Sequence, residues 1–171
     1  WWVQDAYTTT KRFPYARRSR GGLNYVRNSV KVVVDAYDGT VDFYVADPSD
    51  ALLQAYARGF PGLFQPLDAM PPSLRAHLQY PDELFNVQAA MYQTYHVTAP
   101  RVWFSKEDFW GRPEEVFYGA RRVMEPYHVV MPLPGQGKPE FLLLLPLTTA
   151  GRPGVAAFLA ARNDVPHYGE L

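Results

Sequence analysis

The chain has 171 residues, of which 47% are apolar and 20% charged, so it is a globular chain long enough to bury a sizeable core. The chain has 17 lysines and arginines and 17 aspartates and glutamates, so its formal net charge is zero. Since no excess positive charge is present to attract nucleic acid, we expect no nucleic-acid partner. Cysteine is absent, which excludes disulfides and thiolate chemistry. The longest apolar run, Phe141 to Leu145, is far shorter than the roughly 20 residues of a membrane-spanning helix.

Residues 1–15 are β-prone and predict a short strand, and residues 29–46 predict a β-hairpin. Two alternating runs flank Asp38-Gly39, a pair that suits a two-residue mirror-image turn. With Tyr37 opposite Thr40, one face of the hairpin is apolar and must be covered by helices or another sheet. That face carries Val30, Val32, Val34, Ala36, Val41, Phe43 and Val45.

Proline marks three helix starts after the hairpin. Pro48 predicts a helix near 48–58 with Asp47 as its N-cap, Pro72 one near 72–78, and Pro81 one near 81–96. Residues 111–125 are interpreted as mostly loop, because they are polar and interrupted by proline and glycine.

The last third of the chain predicts a second hairpin over 127–147, around the loop 134–139. Its second strand is apolar on both faces, which is typical of a central strand. A final helix is predicted near 154–162. Together these elements predict an α+β fold in which a mainly antiparallel sheet packs against helices, within a single soluble domain over 1–171.

The predicted register of the first hairpin also suggests a polar binding patch. It places Asp35 directly opposite Asp42, beside Tyr37 and Tyr44, and like charges at that spacing repel unless a cation, an arginine or a polar ligand compensates. The alternative is that both carboxylates face water and tolerate each other. A third interpretation is a glycosidase acid/base pair. Such a pair needs one carboxyl group in a setting that raises its pKa, and the sequence shows no desolvating pocket around either aspartate.

No catalytic, metal or cofactor motif occurs. The four histidines, His77, His96, His128 and His167, have no zinc-ligand spacing, and no serine lies in a nucleophile motif. Neither phosphate-binding glycine pattern is present. We therefore predict no catalytic residue, no metal ligand and no cofactor.

The loop of residues 11–22 concentrates basic side chains. They are Lys11, Arg12, Arg17, Arg18 and Arg20. Such a loop either touches anionic lipid head groups or is simply solvated, and the second interpretation is favoured because acids elsewhere balance the charge.

Long strings of the chain resemble an uncharacterised protein family, number 0182. They are QDAYTTTKRFPYA, NYVRNSVKVVVDAYDGTVDFYVADPSD, FPGLFQPLDAMPPSLRAHLQYPDELFNVQAAMYQTYHVTAPRVWF and KPEFLLLLPLTTAGR. The resemblance implies a piece of the large soluble portion of bacterial membrane proteins with several N-terminal spans. It also implies a cell-membrane location, with this part on the extracytoplasmic side. It transfers no catalytic residue.

The function expected from these observations is contact rather than catalysis. The high aromatic content, 15%, mildly favours a non-catalytic module that binds an unknown protein or envelope ligand and reaches the membrane only through other segments of its parent. The alternative is a cell-envelope hydrolase or transferase that uses carboxylates such as Asp35 and Asp42. The chain opens without Met, and we expect it to be an excised segment.

Overall fold

The structure is a computed structural model that describes residues 1–19, 21–149 and 154–171. The chain divides into two compact units, Trp1–Leu84 and Phe85–Leu171. The described residues form helices and several antiparallel sheets, which confirms the predicted α+β class. That residues 1–171 form a single domain stays a prediction.

The first unit is built on a four-stranded sheet in the order β1-β2-β3-β4. The strands are β1 Trp2–Thr10, β2 Tyr25–Val34, β3 Val41–Val45 and β4 Phe64–Pro66. The first three are antiparallel neighbours, which confirms the first predicted strand and the hairpin, whereas β4 runs parallel to β3. The connection from β3 to β4 contains helix α1, Ala51–Gly59, as a parallel crossover requires.

The hairpin register differs from the prediction by two residues. Val34 pairs with Val41 and Val33 with Asp42, so Asp35 does not face Asp42. A two-residue mirror-image turn needs positive φ at its first central residue, and in type I′ at both, but of Asp38 and Gly39 only Gly39 has one, at 78°. The chain instead closes a four-residue loop, in which Asp35 N donates to Thr40 O and Gly39 N donates to Asp35 O.

The β2–β3 ribbon is covered on both faces rather than on the valine face alone. Because the register shift is even, the predicted face is preserved, and on it Val30 is buried while Val41 is 44% exposed. The opposite face is buried more completely, with Lys31, Val33 and Tyr44 each at most 5% exposed. The prediction of a single covered face is therefore incomplete.

The helices after the hairpin lie close to their predicted positions. Besides α1, they are α2 Pro72–Arg75 and α3 Asp82–Tyr95, with a 3-10 turn at Leu67–Ala69. The first begins later than predicted because Asp50, not Asp47, is its N-cap. Asp47 instead accepts from Ser49 N and Ser49 Oγ in the preceding turn.

The second unit centres on one apolar strand, β9. Its four-stranded sheet contains β5 Trp110–Gly111, β8 Tyr127–Pro132, β9 Pro139–Thr149 and β10 Ala157–Arg162, and helix α4 Pro100–Ser105 precedes it. Strand β9 pairs with β10 on one side and with β8 and β5 on the other, and Leu142, Leu143 and Leu145 are fully buried. The predicted hairpin over 127–147 and its central second strand are confirmed.

The predicted helix near 154–162 is wrong, because residues 157–162 form β10. Ala157 to Arg162 pair antiparallel with Leu147 to Leu142. The alanines favour a helix locally, but the open edge of an apolar central strand offers a full ladder of hydrogen bonds, and such tertiary pairing overrides propensity.

The loop interpretation of 111–125 is also wrong in part. Strands β6 Glu114–Phe117 and β7 Ala120–Val123 form a small exposed hairpin. Tyr118 and Gly119 both have positive φ, 49° and 80°, as the turn between the two strands requires.

Candidate functional site

The two predicted patch carboxylates lie in separate local networks. Asp35 accepts a 2.7 Å hydrogen bond from Tyr37 N within the hairpin loop. Asp42 accepts a 2.8 Å bond from Gln65 Nε2 on β4. Since neither faces the other, the repulsion that motivated a cation or ligand between them does not arise.

The two predicted patch tyrosines are not neighbours either. Tyr37 lies at the loop tip with its side chain fully exposed, whereas Tyr44 is buried opposite Lys31. Burial and the charge of Asp42 raise the pKa of Tyr44. The geometric basis of the predicted patch is therefore wrong, although its ability to bind a ligand stays a prediction.

Asp50, the N-cap of α1, is a polar group with many hydrogen-bond partners in the first unit. Its carboxylate accepts from the amides of Leu52 and Leu53, at 3.0 and 3.3 Å. It also accepts from three hydroxyls of the sheet, those of Thr8, Tyr25 and Ser29, at 2.5, 2.5 and 2.6 Å. Five donors therefore surround a carboxylate that is only 2% exposed.

A β-bulge brings the three hydroxyls to the same carboxylate. Between the pairs Ala6–Val30 and Thr8–Arg27, β1 advances by two residues (6 to 8) while β2 advances by three (30 to 27). The extra residue turns β2 so that Ser29 reaches Asp50 together with Thr8 of β1. No local sequence pattern predicts that these three hydroxyls meet at Asp50. The sequence shows only that Ser49 and Asp50, directly before α1, are both possible N-cap residues.

These hydrogen bonds keep Asp50 ionised. Burial alone would raise its pKa, but the bonds from Ser29, Thr8, Tyr25 and Leu52 outweigh that effect and lower the pKa to about 2. Burial and the same contact to Asp50 raise the pKa of Tyr25. A carboxylate that is already saturated with donors is suited to holding structure and poorly suited to accepting a proton in a reaction.

Beside this network, β1 and α1 enclose a cleft of about 400 Å³. It is lined by threonine hydroxyls, two tyrosines and aliphatic side chains. The lining residues are Ala6, Tyr7, Thr8, Thr9, Thr10, Val30, Leu52, Leu53, Tyr56 and Phe64. None of these carries a carboxylate, an imidazole or an amine, and Tyr56 is 57% exposed at the cleft.

On the other face of the sheet, the buried Lys31 of β2 forms an ion pair with the partly exposed Asp5 of β1. The two residues are register partners, and Lys31 is 1% exposed. Lys31 Nζ also donates to Gln79 O at 3.4 Å. Next to this pair, Tyr7 donates to Glu83 at 3.2 Å, and burial together with Asp5 and Glu83 raises the pKa of Tyr7.

In the second unit, Arg162 of β10 joins two acidic side chains. Its guanidinium contacts both carboxylate oxygens of Glu140, with Nε to Oε2 at 2.7 Å, and Nη1 donates to Glu170 at 3.0 Å. Nη2 also reaches Gln136 at 3.1 Å. The hydrogen bond from Arg162 lowers the pKa of Glu140. The bidentate geometry ties the chain's last strand to the start of β9.

The histidines do not assemble a metal centre. Over residues 1–19, 21–149 and 154–171, no group of three histidine or acidic side chains could hold a metal ion. His96 stacks on Trp110 with ring centroids 3.6 Å apart, and its ring nitrogens lie near Tyr92 O and Asp108 O. His96 is therefore a packed residue directly after α3.

The basic loop has a defined backbone but exposed charges. Asn24 bonds to both backbone polar groups of Phe13, and Phe13 stacks on Tyr25 at 4.8 Å. The basic side chains that the structure describes there are exposed, namely Lys11, Arg12, Arg17 and Arg18, while Arg20 lies outside the described residues. The two interpretations of this basic loop, contact with lipid head groups and simple solvation, both stay predictions.

None of the helices in the described ranges combines the length and apolarity needed to cross a bilayer. The fold and the site together define an α+β protein with a structural buried carboxylate and a cleft that carries no acidic or basic side chain.

This chain belongs to the Uncharacterised protein family (UPF0182), whose pattern it matches over residues 1–171. That membership confirms the resemblance deduced from the sequence strings. Similar proteins include a UPF0182 protein of Pelotomaculum thermopropionicum, 50% identical over the whole chain, and one of Geobacter sulfurreducens, 51% identical over 99% of it. A UPF0182 protein of Methanospirillum hungatei is 47% identical over 99% of the chain.

The chain spans about 19% of the length of the first two of these relatives and 20% of the third. It therefore corresponds to one part of a larger protein in this family. No solved structure matches it.

Proposed function

We propose that residues 1–171 are a non-catalytic contact module of a larger cell-envelope membrane protein, which binds a ligand or a protein segment in the cleft between β1 and α1. The observation that carries this proposal is the chemistry of the cleft lining. Hydroxyl, aromatic and aliphatic groups line it, while acid/base catalysis needs a side chain that exchanges a proton near neutral pH.

The carboxylate that contacts the cleft-lining Thr8 supports binding over catalysis. Asp50 lies behind Thr8 with five hydrogen-bond donors on it, and its pKa of about 2 keeps it ionised at neutral pH. It therefore fixes the wall of the cleft. A ligand that fits this lining is uncharged and presents both polar and apolar surface, such as a neutral oligosaccharide or an extended peptide.

The test is a ligand panel measured by thermal unfolding of the protein that contains this segment. Neutral oligosaccharides and uncharged peptides are added in excess, and a cleft ligand raises the melting temperature because it binds only the folded state. In the Tyr56→Ala variant we expect that rise to disappear. Tyr37→Ala, at the exposed loop tip, is the matched control and retains it.

The same panel also tests the alternative, an envelope hydrolase or transferase that uses Asp35 and Asp42. Product formation that is lost in Asp42→Asn but retained in Tyr56→Ala would contradict the contact module and favour the enzyme. A shift in melting temperature without product, abolished by Tyr56→Ala, supports the module.

The extracytoplasmic location in this proposal is supported by the family resemblance. The absence of cysteine from the segment allows a clean experiment. Tyr37→Cys, at an exposed position, is introduced into an otherwise cysteine-free full-length protein. Intact cells that express this variant are treated with a membrane-impermeant maleimide. Labelling before lysis supports the outer location, and labelling only after lysis contradicts it.

A further inference from the structure

Strand β1 forms an edge of its sheet that lacks the usual protection. In the described part of the chain β1, a strand of nine residues, pairs with β2 alone. The opposite edge strand, β4, has only three residues and contains Pro66, two devices that discourage further pairing. By contrast, β1 contains neither proline nor lysine, and its one charged residue, Asp5, is paired with Lys31.

The hydrogen-bond pattern identifies the backbone groups at this free edge. Ser29 O accepts from Ala46 N, so the odd-numbered residues of β2 point to β3 and Val30, Val32 and Val34 point to β1. Their partners Trp2, Gln4 and Ala6 therefore point inward. The amides and carbonyls of Val3 and Asp5, which lie between them on the regular part of the strand, consequently face away from the sheet.

Apolar side chains lie exposed at the same edge. Trp2 is 72% exposed and Val3 is 42% exposed, on opposite faces of the strand. Trp2 is the register partner of Val34, and Val34 is the register partner of Val41, which is 44% exposed. The three apolar residues therefore form one row across the sheet. A neighbouring strand would cover Trp2 and Val3 while it paired the outward backbone groups.

We propose that the free edge of β1 is completed by a β-strand of the same protein from outside residues 1–171. The chain spans 19% of the length of its relatives, so about four fifths of such a protein lies outside it and can supply the strand at high effective concentration. The added strand carries apolar side chains beside Trp2 and Val3. This inference does not depend on the ligand of the cleft.

A second copy of the chain fits this edge less well. The two ends of β1 differ, since Trp2 and Val3 are apolar whereas Thr8, Thr9 and Thr10 are hydroxylic. A symmetric antiparallel pair centred on Ala6 would place Trp2 beside Thr10 of the other copy, which leaves the exposed ring against a polar residue.

Hydrogen exchange of the full-length protein, read at single residues of β1, tests the proposal. We expect the amides of Val3 and Asp5 to exchange within about tenfold of those of Gln4 and Ala6, because both sides of the strand are paired. An alternating pattern, in which the odd positions exchange about 100-fold faster or more, overturns the proposal. Protection that is lost on dilution, together with a fall in molecular mass, indicates a second copy and also overturns it.

Proline substitution in the same protein gives an independent readout. Val3→Pro removes an outward amide and leaves the ladder to β2 intact, so a free edge tolerates it about as well as Val3→Ala. If another strand pairs there, we expect Val3→Pro to lower the melting temperature nearly as much as Gln4→Pro, which removes an inward amide in either case. Equal melting temperatures of Val3→Pro and Val3→Ala contradict the added strand.

Discussion

Ser29 donates a 2.6 Å hydrogen bond to Asp50, and through this contact the bulged strand β2 is joined to the first turn of α1. The same carboxylate oxygen accepts from Thr8 of β1. One buried charge therefore connects two strands and a helix, and it also fixes the inner wall of the cleft. The stability of the first unit should depend on this carboxylate more than on any exposed acid.

Asp50→Asn tests the charge while retaining a side chain that can cap a helix. The amide group of asparagine turns a donor toward hydroxyls that now donate to Asp50, so we expect the free energy of unfolding to fall by about 2 kcal/mol. Urea denaturation measures the loss. Asp38→Asn, in the exposed hairpin loop, is the control and should change stability much less. Equal effects of the two substitutions would contradict a special role for Asp50.

The low pKa of Asp50 also predicts acid sensitivity. Its pKa is about 2 in the folded protein against 3.8 for the ordinary side chain, so the folded state binds this proton less readily than the unfolded state. The stabilisation is therefore complete above pH 3.8 and is lost as the pH falls through about 2, a difference of about 2 kcal/mol. In Asp50→Asn this part of the pH dependence should be missing from the unfolding curve.

Tyr25→Phe removes a single donor to Asp50 at almost constant volume. The lost bond is 2.5 Å long and its acceptor is charged, so we expect a loss of about 1.5 kcal/mol in unfolding free energy. Tyr37→Phe is the matched control, because the Tyr37 side chain is fully exposed. A loss in Tyr37→Phe as large as that in Tyr25→Phe would show that the hydroxyl contact is unimportant.

The sequence predicts the features that local chemistry decides. The first hairpin, the helix starts at Pro72 and directly after Pro81, and the central position of β9 all follow from short patterns of turn residues and apolar alternation. The hairpin register does not, because Asp38-Gly39 is compatible both with a two-residue turn and with the longer loop that places positive φ on Gly39 alone.

Long-range pairing explains the other differences. Ala157 to Arg162 favour a helix as an isolated segment, and only the ladder with β9 makes them a strand. The Asp50 network likewise needs Thr8, Tyr25 and Ser29 from two strands and a bulge between them. No spacing in the sequence indicates that these residues meet. The predicted patch around Asp35 and Asp42 rests on a hairpin register that differs from the observed one by two residues.

The ion pair between buried Lys31 and partly exposed Asp5 should show strong coupling in a double-mutant cycle. Asp5→Ala leaves the buried ammonium without its carboxylate, and we expect it to lower the unfolding free energy by about 3 kcal/mol. The double variant with Lys31→Met removes both charges, so its loss should be smaller than the sum of the two single losses. Additive losses in chemical denaturation would indicate that the two side chains act independently.

Arg162→Lys tests whether the geometry of the guanidinium matters in addition to its charge. Lysine cannot reproduce the two-pronged contact with Glu140 and the bond to Glu170 together, so we expect a lower melting temperature than in the unaltered protein. Arg162→Ala should lower it further. Because Arg162 lowers the pKa of Glu140, the stabilisation is present above the ordinary glutamate pKa and declines in acid, so the difference between Arg162→Ala and the unaltered protein should shrink there. Arg121→Lys, with a side chain that is 82% exposed, is the control, and an equal effect at both positions would contradict the role of the Glu140 contact.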